Sequence, residues 1–207
     1  AAIQTNTVTL DLSSTVAGDI YLTEQNGANL SDVDTANGSI VITTGGAATL
    51  TDVQAGGAGS DINITATSGN VTTGLVTAAD DVTLNASNGS LVYGSLQITG
   101  DQITLSSGTT GAIGSSGSRI QTASSSLNVT GGTGGVFLNE KNDLNLTGAN
   151  IVAAPGGTFD VASEKSLTVS GSINANAGQI ILTADSDNSN TATDTFTQIH
   201  GTTIGGA

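Results

Sequence analysis

Pairs of aliphatic residues that straddle one other position recur along this chain: Val8/Leu10, Ile20/Leu22, Ile40/Ile42, Ile62/Ile64, Val82/Leu84, Ile103/Leu105, Leu127/Val129, Leu144/Leu146, Leu167/Val169 and Ile180/Leu182. From Ile20 to Ile103 successive pairs are 20, 22, 20 and 21 residues apart; later steps are 24, 17, 23 and 13, and the first is 12. A spacing of two puts both members of a pair on one face of a strand. The residue between them is then outward: Tyr21, Val41, Asn63, Thr83, Thr104, Asn128, Asn145, Thr168, Ile181. From Ile20 onward the residue after each pair is Thr, Asn or Ser, a set that can hydrogen-bond along a ladder if the units stack in register. A second apolar position follows about ten residues later, at Leu30, Leu50, Val71, Leu91, Ile113 and Val136. Between the two lie turn-forming clusters such as QNG, TGG, TSGN and SNG, whose residues tolerate sharp corners.

A unit of this kind cannot bury its own apolar face, but a second unit stacked on it at about 4.8 Å can. The pattern therefore predicts an all-β, right-handed parallel β-helix (a β-solenoid) of about ten rungs of roughly 20 residues each. Residues 1–184 would form the repeat domain, and residues 185–207 a polar loop and C-terminal tail. The uneven steps favour this fold over a left-handed hexapeptide helix, which demands a strict six-residue period. An antiparallel sandwich of short strands is the competing arrangement. Helical spacing of apolar residues is missing, and Gly, Thr, Asn and Ser are mediocre helix formers.

Composition sharpens the picture. The 207 residues include 29 Gly, one Pro, two Tyr, three Phe and neither Cys, Met nor Trp. A core without large aromatics must be thin and built from many small aliphatics. The near lack of proline suits a backbone whose N–H groups are used in ladders. Lack of cysteine excludes disulfides and thiolate metal sites. The opening AAIQTNTVTL has no basic region or apolar run of a signal peptide. No run of about 18 apolar residues can span a membrane as a helix, and five scattered aromatics cannot make the girdles of an outer-membrane barrel. With 17 acidic residues against Arg119, Lys141 and Lys165, the net charge is −14. Nucleic acid and anionic membrane surfaces are poor partners for such a chain. The acidity suits cation binding or, more simply, keeps a long β-surface from aggregating.

Units such as GDIYLTEQNGANL, DDVTLNASNGSLV and GQIILTADSDNSN resemble the β-helical repeats of filamentous-haemagglutinin-like adhesins, bacterial exoproteins secreted by the two-partner route. The resemblance covers residues 8 to 185 and lies in composition and period, not in catalytic motifs. It implies a right-handed β-helix, extracellular or cell-surface display, and work as a stalk or adhesive surface. The chain lacks the Asn-Pro-Asn motifs of that family's secretion domain; its proline stands in AAPGG. An internal segment of a longer exoprotein, or a relative exported otherwise, would fit.

Candidate chemistry is sparse. Residues 185–194, DSDNSNTATD, gather Asp185, Asp187, Asn188, Asn190 and Asp194, oxygen ligands of the kind a Ca²⁺ loop uses. The EF-hand pattern fails there, with no Gly at the sixth position and Phe196 where a bidentate Glu belongs, so a solvated polar loop is the simpler reading. GGAGSDINI at 56–64 nearly spells a calcium nonapeptide, but Asn63 falls where a large apolar residue is required and the motif occurs once. Asp19, Asp61, Asp81 and Asp143 directly precede core pairs. Ser39, Ser126 and Ser166 take the same place, so these side chains are expected to cap turns; a cation bridging Asp61 and Asp81 is the other possibility. His200 is the single histidine, in QIHG, and brings no partner for catalysis. A lyase would need more basic residues than the three present, and a sugar groove usually needs stacking aromatics. The outward row from Tyr21 is too irregular for an ice-binding face.

No enzyme is therefore expected, and no cofactor beyond the Ca²⁺ considered above. The expected role is a structural or adhesive segment of a bacterial exoprotein, with an unidentified surface ligand as partner. The widest excursions, at 106–124 and at Glu140–Lys141–Asn142, are the places to seek binding. The alternative is a filament or sheath subunit that self-associates end to end through open solenoid ends.

Overall fold

The computed structural model describes residues 2–152, 156–189 and 193–205. These residues form a parallel β-solenoid of about eight turns, about 21 residues per turn, with no helix among them. None therefore is long and apolar enough to cross a membrane as a helix.

Two sheets make up the rod, one of 13 strands and one of 11. Along the first run Ile3–Thr5, Ile20–Glu24, Ile40–Thr44, Ile62–Ala66, Val82–Ala86, Gln102–Ser107, Ser126–Gly131, Leu144–Leu146, Leu167–Val169 and Phe196–Gln198. The strands of the second alternate with them in the chain, from Thr9–Ala17 and Ala28–Asn37 to Phe159–Ser163 and Ile180–Thr183. Every strand pairing is parallel, each strand meeting its counterpart one turn away, which excludes the sandwich. Among the described residues a single antiparallel bridge, Ser115 to Ser118, closes a small excursion from the second sheet.

The central pairs stack as their spacing predicts. Ile20, Ile40, Ile62, Val82, Ile103 and Leu127 form one inner column; Leu22, Ile42, Ile64, Leu84, Leu105 and Val129 form the next. Apart from Ile20, which is partly buried, all are removed from water. The polar ladder also aligns, Thr23, Thr43, Thr65, Asn85, Ser106 and Thr130, with the Ser106 hydroxyl 3.0 Å from Asn85 Oδ1.

Three expectations about the doublets need correction, and each coincides with an irregular step. Val8/Leu10 belongs to the second sheet: Leu10 stacks on Leu30 while Val8 is 79% exposed. Ile180/Leu182 also lies in the second sheet, over Phe159 and Val161, and the first sheet continues instead with Phe196 over Leu167. Between Leu127 and Leu144 the register slips by two, so that Leu127 meets Leu146. The slip leaves the amide of Val129 without a strand partner there, and the buried Asn150 side chain accepts it at 2.9 Å. A 17-residue step is too short to circle the rod at constant register, and a buried amide side chain makes up the lost ladder bond.

In the second sheet, Ala28, Ala48, Val71, Leu91, Ile113, Val136, Phe159 and Ile180 form a continuous column. Leu50 therefore sits over Thr73 and not over Val71. A further column runs Leu12, Val33, Val53, Val76, Ile98, then Thr122, Glu140 and Ser163, passing from aliphatic to polar inside the rod. Its polar members are satisfied: among the described residues no buried side-chain nitrogen or oxygen lacks a hydrogen-bond partner. Arg119 fastens the excursion to two later turns, donating to Leu138 O at 3.1 Å and Asp160 O at 3.3 Å and pairing with the Asp160 carboxylate.

Candidate functional site

The corner that precedes each first-sheet strand carries the most regular polar chemistry in the molecule. A residue entering a strand there points its amide along the rod axis, toward the turn before it. In one turn after another a short side chain of the preceding corner accepts that amide. Ser39 N lies 2.8 Å from Asp19 Oδ1, Asp61 N 3.1 Å from Ser39 Oγ, Asp81 N 3.2 Å from Asp61 Oδ1, and Gln102 N 3.1 Å from Asp81 Oδ1. The arrangement resumes past the register slip, with Ser166 N 3.1 Å from Asp143 Oδ1 and Thr195 N 3.3 Å from Ser166 Oγ. Ser126 departs from it: at the slip its hydroxyl meets Thr147 Oγ1 at 3.0 Å. A second corner repeats the device with Asn70 and Ser90, which accept Ser90 N and Ala112 N at 2.9 and 3.0 Å. The expected turn-capping role thus operates from one turn to the next.

Asp80 joins Asp61 and Asp81 at this corner, and one oxygen from each lies within 4.8 Å of the others. Burial, and then the negative charges of Asp81, Asp61 and Asp101, push the Asp80 carboxyl above its ordinary value. Three carboxylates carry at most six oxygens, and Asp61 and Asp81 each already spend Oδ1 on an amide, so fewer remain than the six to eight calcium takes. The arrangement is that of a cap. Asp61→Ser, which reproduces the side chain found at position 39, is expected to leave stability within about 0.5 kcal/mol of the parent. Asp61→Ala, which frees the amide of Asp81, is expected to cost about 1 kcal/mol. Urea unfolding with and without EDTA checks both, and the chelator is expected to leave the midpoint unchanged.

Among the described residues of 185–194, two carboxylates converge on Ser189. Its amide lies 3.2 Å from Asp185 Oδ1 and 3.0 Å from Asp187 Oδ1, and this donation holds the Asp187 carboxyl below its ordinary value. Asp185 and Asn188 adopt positive φ of 53°, a conformation Asp and Asn tolerate better than most residues. Asp187 and Asp194 line a depression of about 390 Å³ together with Asp143, Lys165 and Ser166. Asn190 lies outside the described residues. The Gly-rich stretch 56–64 makes a tight corner, with Gly57 at φ 88° and Gly59 at φ 74°, and Asn63 faces solvent on the first sheet. His200 is exposed.

Two features escaped the sequence pattern. On the outer face of the second sheet Asp11 stacks on Asp32 with Asp52 close by, and burial and the charges of Asp34, Asp11 and Asp52 push the Asp32 carboxyl up. Their steps of 21 and 20 residues would have revealed them had that sheet been aligned separately. Glu24 and Glu140 point inward, and no local signal marks a glutamate as buried. A further depression, of about 570 Å³, follows the corner lined by Ser14, Asp34, Thr35, Gln54 and Thr77 and presents no aromatic surface.

Compared with known proteins, the chain matches no family model, no curated protein and no solved structure.

Proposed function

We propose that this chain is a non-catalytic segment of a bacterial cell-surface or secreted exoprotein, a stalk or display rod of the kind found in filamentous-haemagglutinin-like adhesins. One observation carries the reading: the inner columns of the first sheet run from Ile20 to Leu127 without a break, beneath a polar outer ladder. Such stacking supplies reach and stiffness, and it leaves corners and excursions free to vary. The paucity of basic and aromatic side chains fits display better than turnover of a polysaccharide. Antibodies against the purified chain are expected to label intact cells that produce the parent protein. Labelling only after permeabilisation, or release of reducing ends from a polysaccharide panel, would overturn the proposal.

Assembly end to end is a second reading, favoured by the apolar side chains on the first and last described turns: Ile3, Val8 and Val16 at one end, Phe196 and Ile199 at the other. A second copy seated there would continue both sheets. Sedimentation of a monomer at high concentration would exclude it.

A further inference from the structure

Glu24 and Glu140 each end a strand, where the alternation of side chains turns them into the rod. Both are removed from water. Each begins a Glu-X-Asn sequence, Glu24-Gln25-Asn26 and Glu140-Lys141-Asn142. In both, the asparagine amide returns to the carboxylate at 3.1 Å.

The two differ in what meets the second oxygen. Glu24 Oε1 takes the Asn26 amide, and Oε2 takes the Thr7 amide at 3.0 Å with the Thr5 hydroxyl. Both oxygens therefore face fixed N–H donors. At Glu140 both amides converge on Oε1, Ser124 N at 2.9 Å and Asn142 N at 3.1 Å. Oε2 meets the Ser124 hydroxyl at 3.1 Å, and the Thr122 hydroxyl also bonds the carboxylate. A hydroxyl can rotate and accept; an amide N–H cannot. Glu24 is thus built for the charged form alone, whereas Glu140 has an oxygen at which a proton finds an acceptor.

We propose that Glu140 is an interior proton site of the rod, holding its proton on Oε2 against Ser124, and that it clasps the turn at 122–125 to the turn at 140–142 more firmly in acid than at neutral pH. The elements packed against it offer no counter-charge. Thr122 and Ser124 face it from one side; Ser163 stands over it in register, with its hydroxyl committed to Asn142 O and Ser166 O. The charged side chains on these elements are engaged elsewhere or lie at the corners. Arg119 pairs with Asp160 and Lys141 with Glu164; Asp143 accepts Ser166 N, and Asp101 and Lys165 stand at neighbouring corners.

Burial pushes the Glu140 carboxyl above its ordinary value, outweighing bonds from Thr122, Ser124 and Asn142. The Thr5 hydroxyl, with the Thr7 and Asn26 amides, holds Glu24 below it. A folded state that binds a proton more tightly than the unfolded chain gains stability below the unfolded pKa, about 4.3 for glutamate. That gain is lost as pH rises through the folded value. Glu24 acts in the opposite sense, its contribution fading as pH falls through its lowered value.

The chain has three glutamates, so their side-chain carboxyl ¹³C signals can be assigned with single Glu→Gln variants and followed by pH titration of the whole chain. Glu140 is expected to titrate above the ordinary glutamate value of about 4.3 and Glu24 below it. In parallel, Glu140→Gln, which keeps a donor at Oε2, is expected to lack the high-pH loss, so its melting temperature gains on the parent as pH rises from 4 to 8. Glu140 titrating at or below that ordinary value would overturn the proposal, as would parallel melting curves. Should the variant fail to fold, the titration of the parent chain decides.

Discussion

Gly89→Ala is expected to destabilise the rod by at least the upper end of the roughly 1–3 kcal/mol typical of overpacking, although it adds one methyl group at a surface corner. A Cβ at position 89 would stand 1.9 Å from Gly69 O, 2.4 Å from Gly69 C and 2.9 Å from Asn70 N. All three atoms are backbone of the turn below, so no side chain can swing aside. The turn above is equally close, since a Cβ at Gly111 would meet Gly89 O at 2.0 Å. Relief requires lifting one turn off the next, and the ladder bonds on either side resist it. Gly117→Ala supplies the contrast. It stands at the tip of the Ser115–Ser118 excursion with nothing within 4 Å, and is expected to change stability by less than about 1 kcal/mol. Urea unfolding of the two variants checks this; equal midpoints would mean that the corners are looser than the stacking implies.

The same closeness explains which parts of the fold were readable in advance. From Ile20 to Leu127 each turn must pass over its predecessor at fixed register, so the aliphatic doublets repeat at nearly constant spacing and identify the first sheet. The second sheet blurs because its strands divide. Val71–Ala78 pairs with both Leu91–Tyr93 and Gln97–Thr99, and the residues between them leave the ladder. A period read from doublets alone cannot follow such a break, nor the extra residue in the corner 67–70 that sets Val71 over Ala48 and not over Leu50. The steps of 12 and 13 had a plain physical meaning: they are half-turns, from one sheet to the other.

Polar positions divide in the same way. The corner caps were legible because Asp19, Ser39, Asp61 and Asp81 hold one place relative to the doublets, and short oxygen-bearing side chains there have a common use. Glu24 and Glu140 were not. Their inward direction follows from strand alternation, but a carboxylate at the end of a strand ordinarily turns to water. What makes burial tolerable is a set of amides and hydroxyls supplied by another turn, Thr5 and Thr7 in one case and Thr122 and Ser124 in the other. That is non-local information, fixed only once the register is known.

Phe159→Ala is expected to carry the largest cost among side-chain truncations, about 3–5 kcal/mol for a fully buried phenylalanine. Phe159 is fully buried and stacks between Val136 and Ile180, in a core otherwise made of Val, Leu, Ile and Ala. Small neighbours cannot collapse into the space of a ring while backbone ladders hold successive turns at a fixed rise. Phe196, 50% exposed, is expected to lose less than about 1 kcal/mol on the same change. The location of the damage is as telling as its size. In a rod where each turn touches only its neighbours, stability is a sum of local terms, and a deficit at one turn opens that region before the rest. Hydrogen exchange of Phe159→Ala is therefore expected to show faster opening from Val136 through Leu182, with the amides from Ile40 to Leu105 protected as in the parent. Uniform acceleration along the chain would instead mean that all turns unfold as one unit, and local opening would be the wrong description.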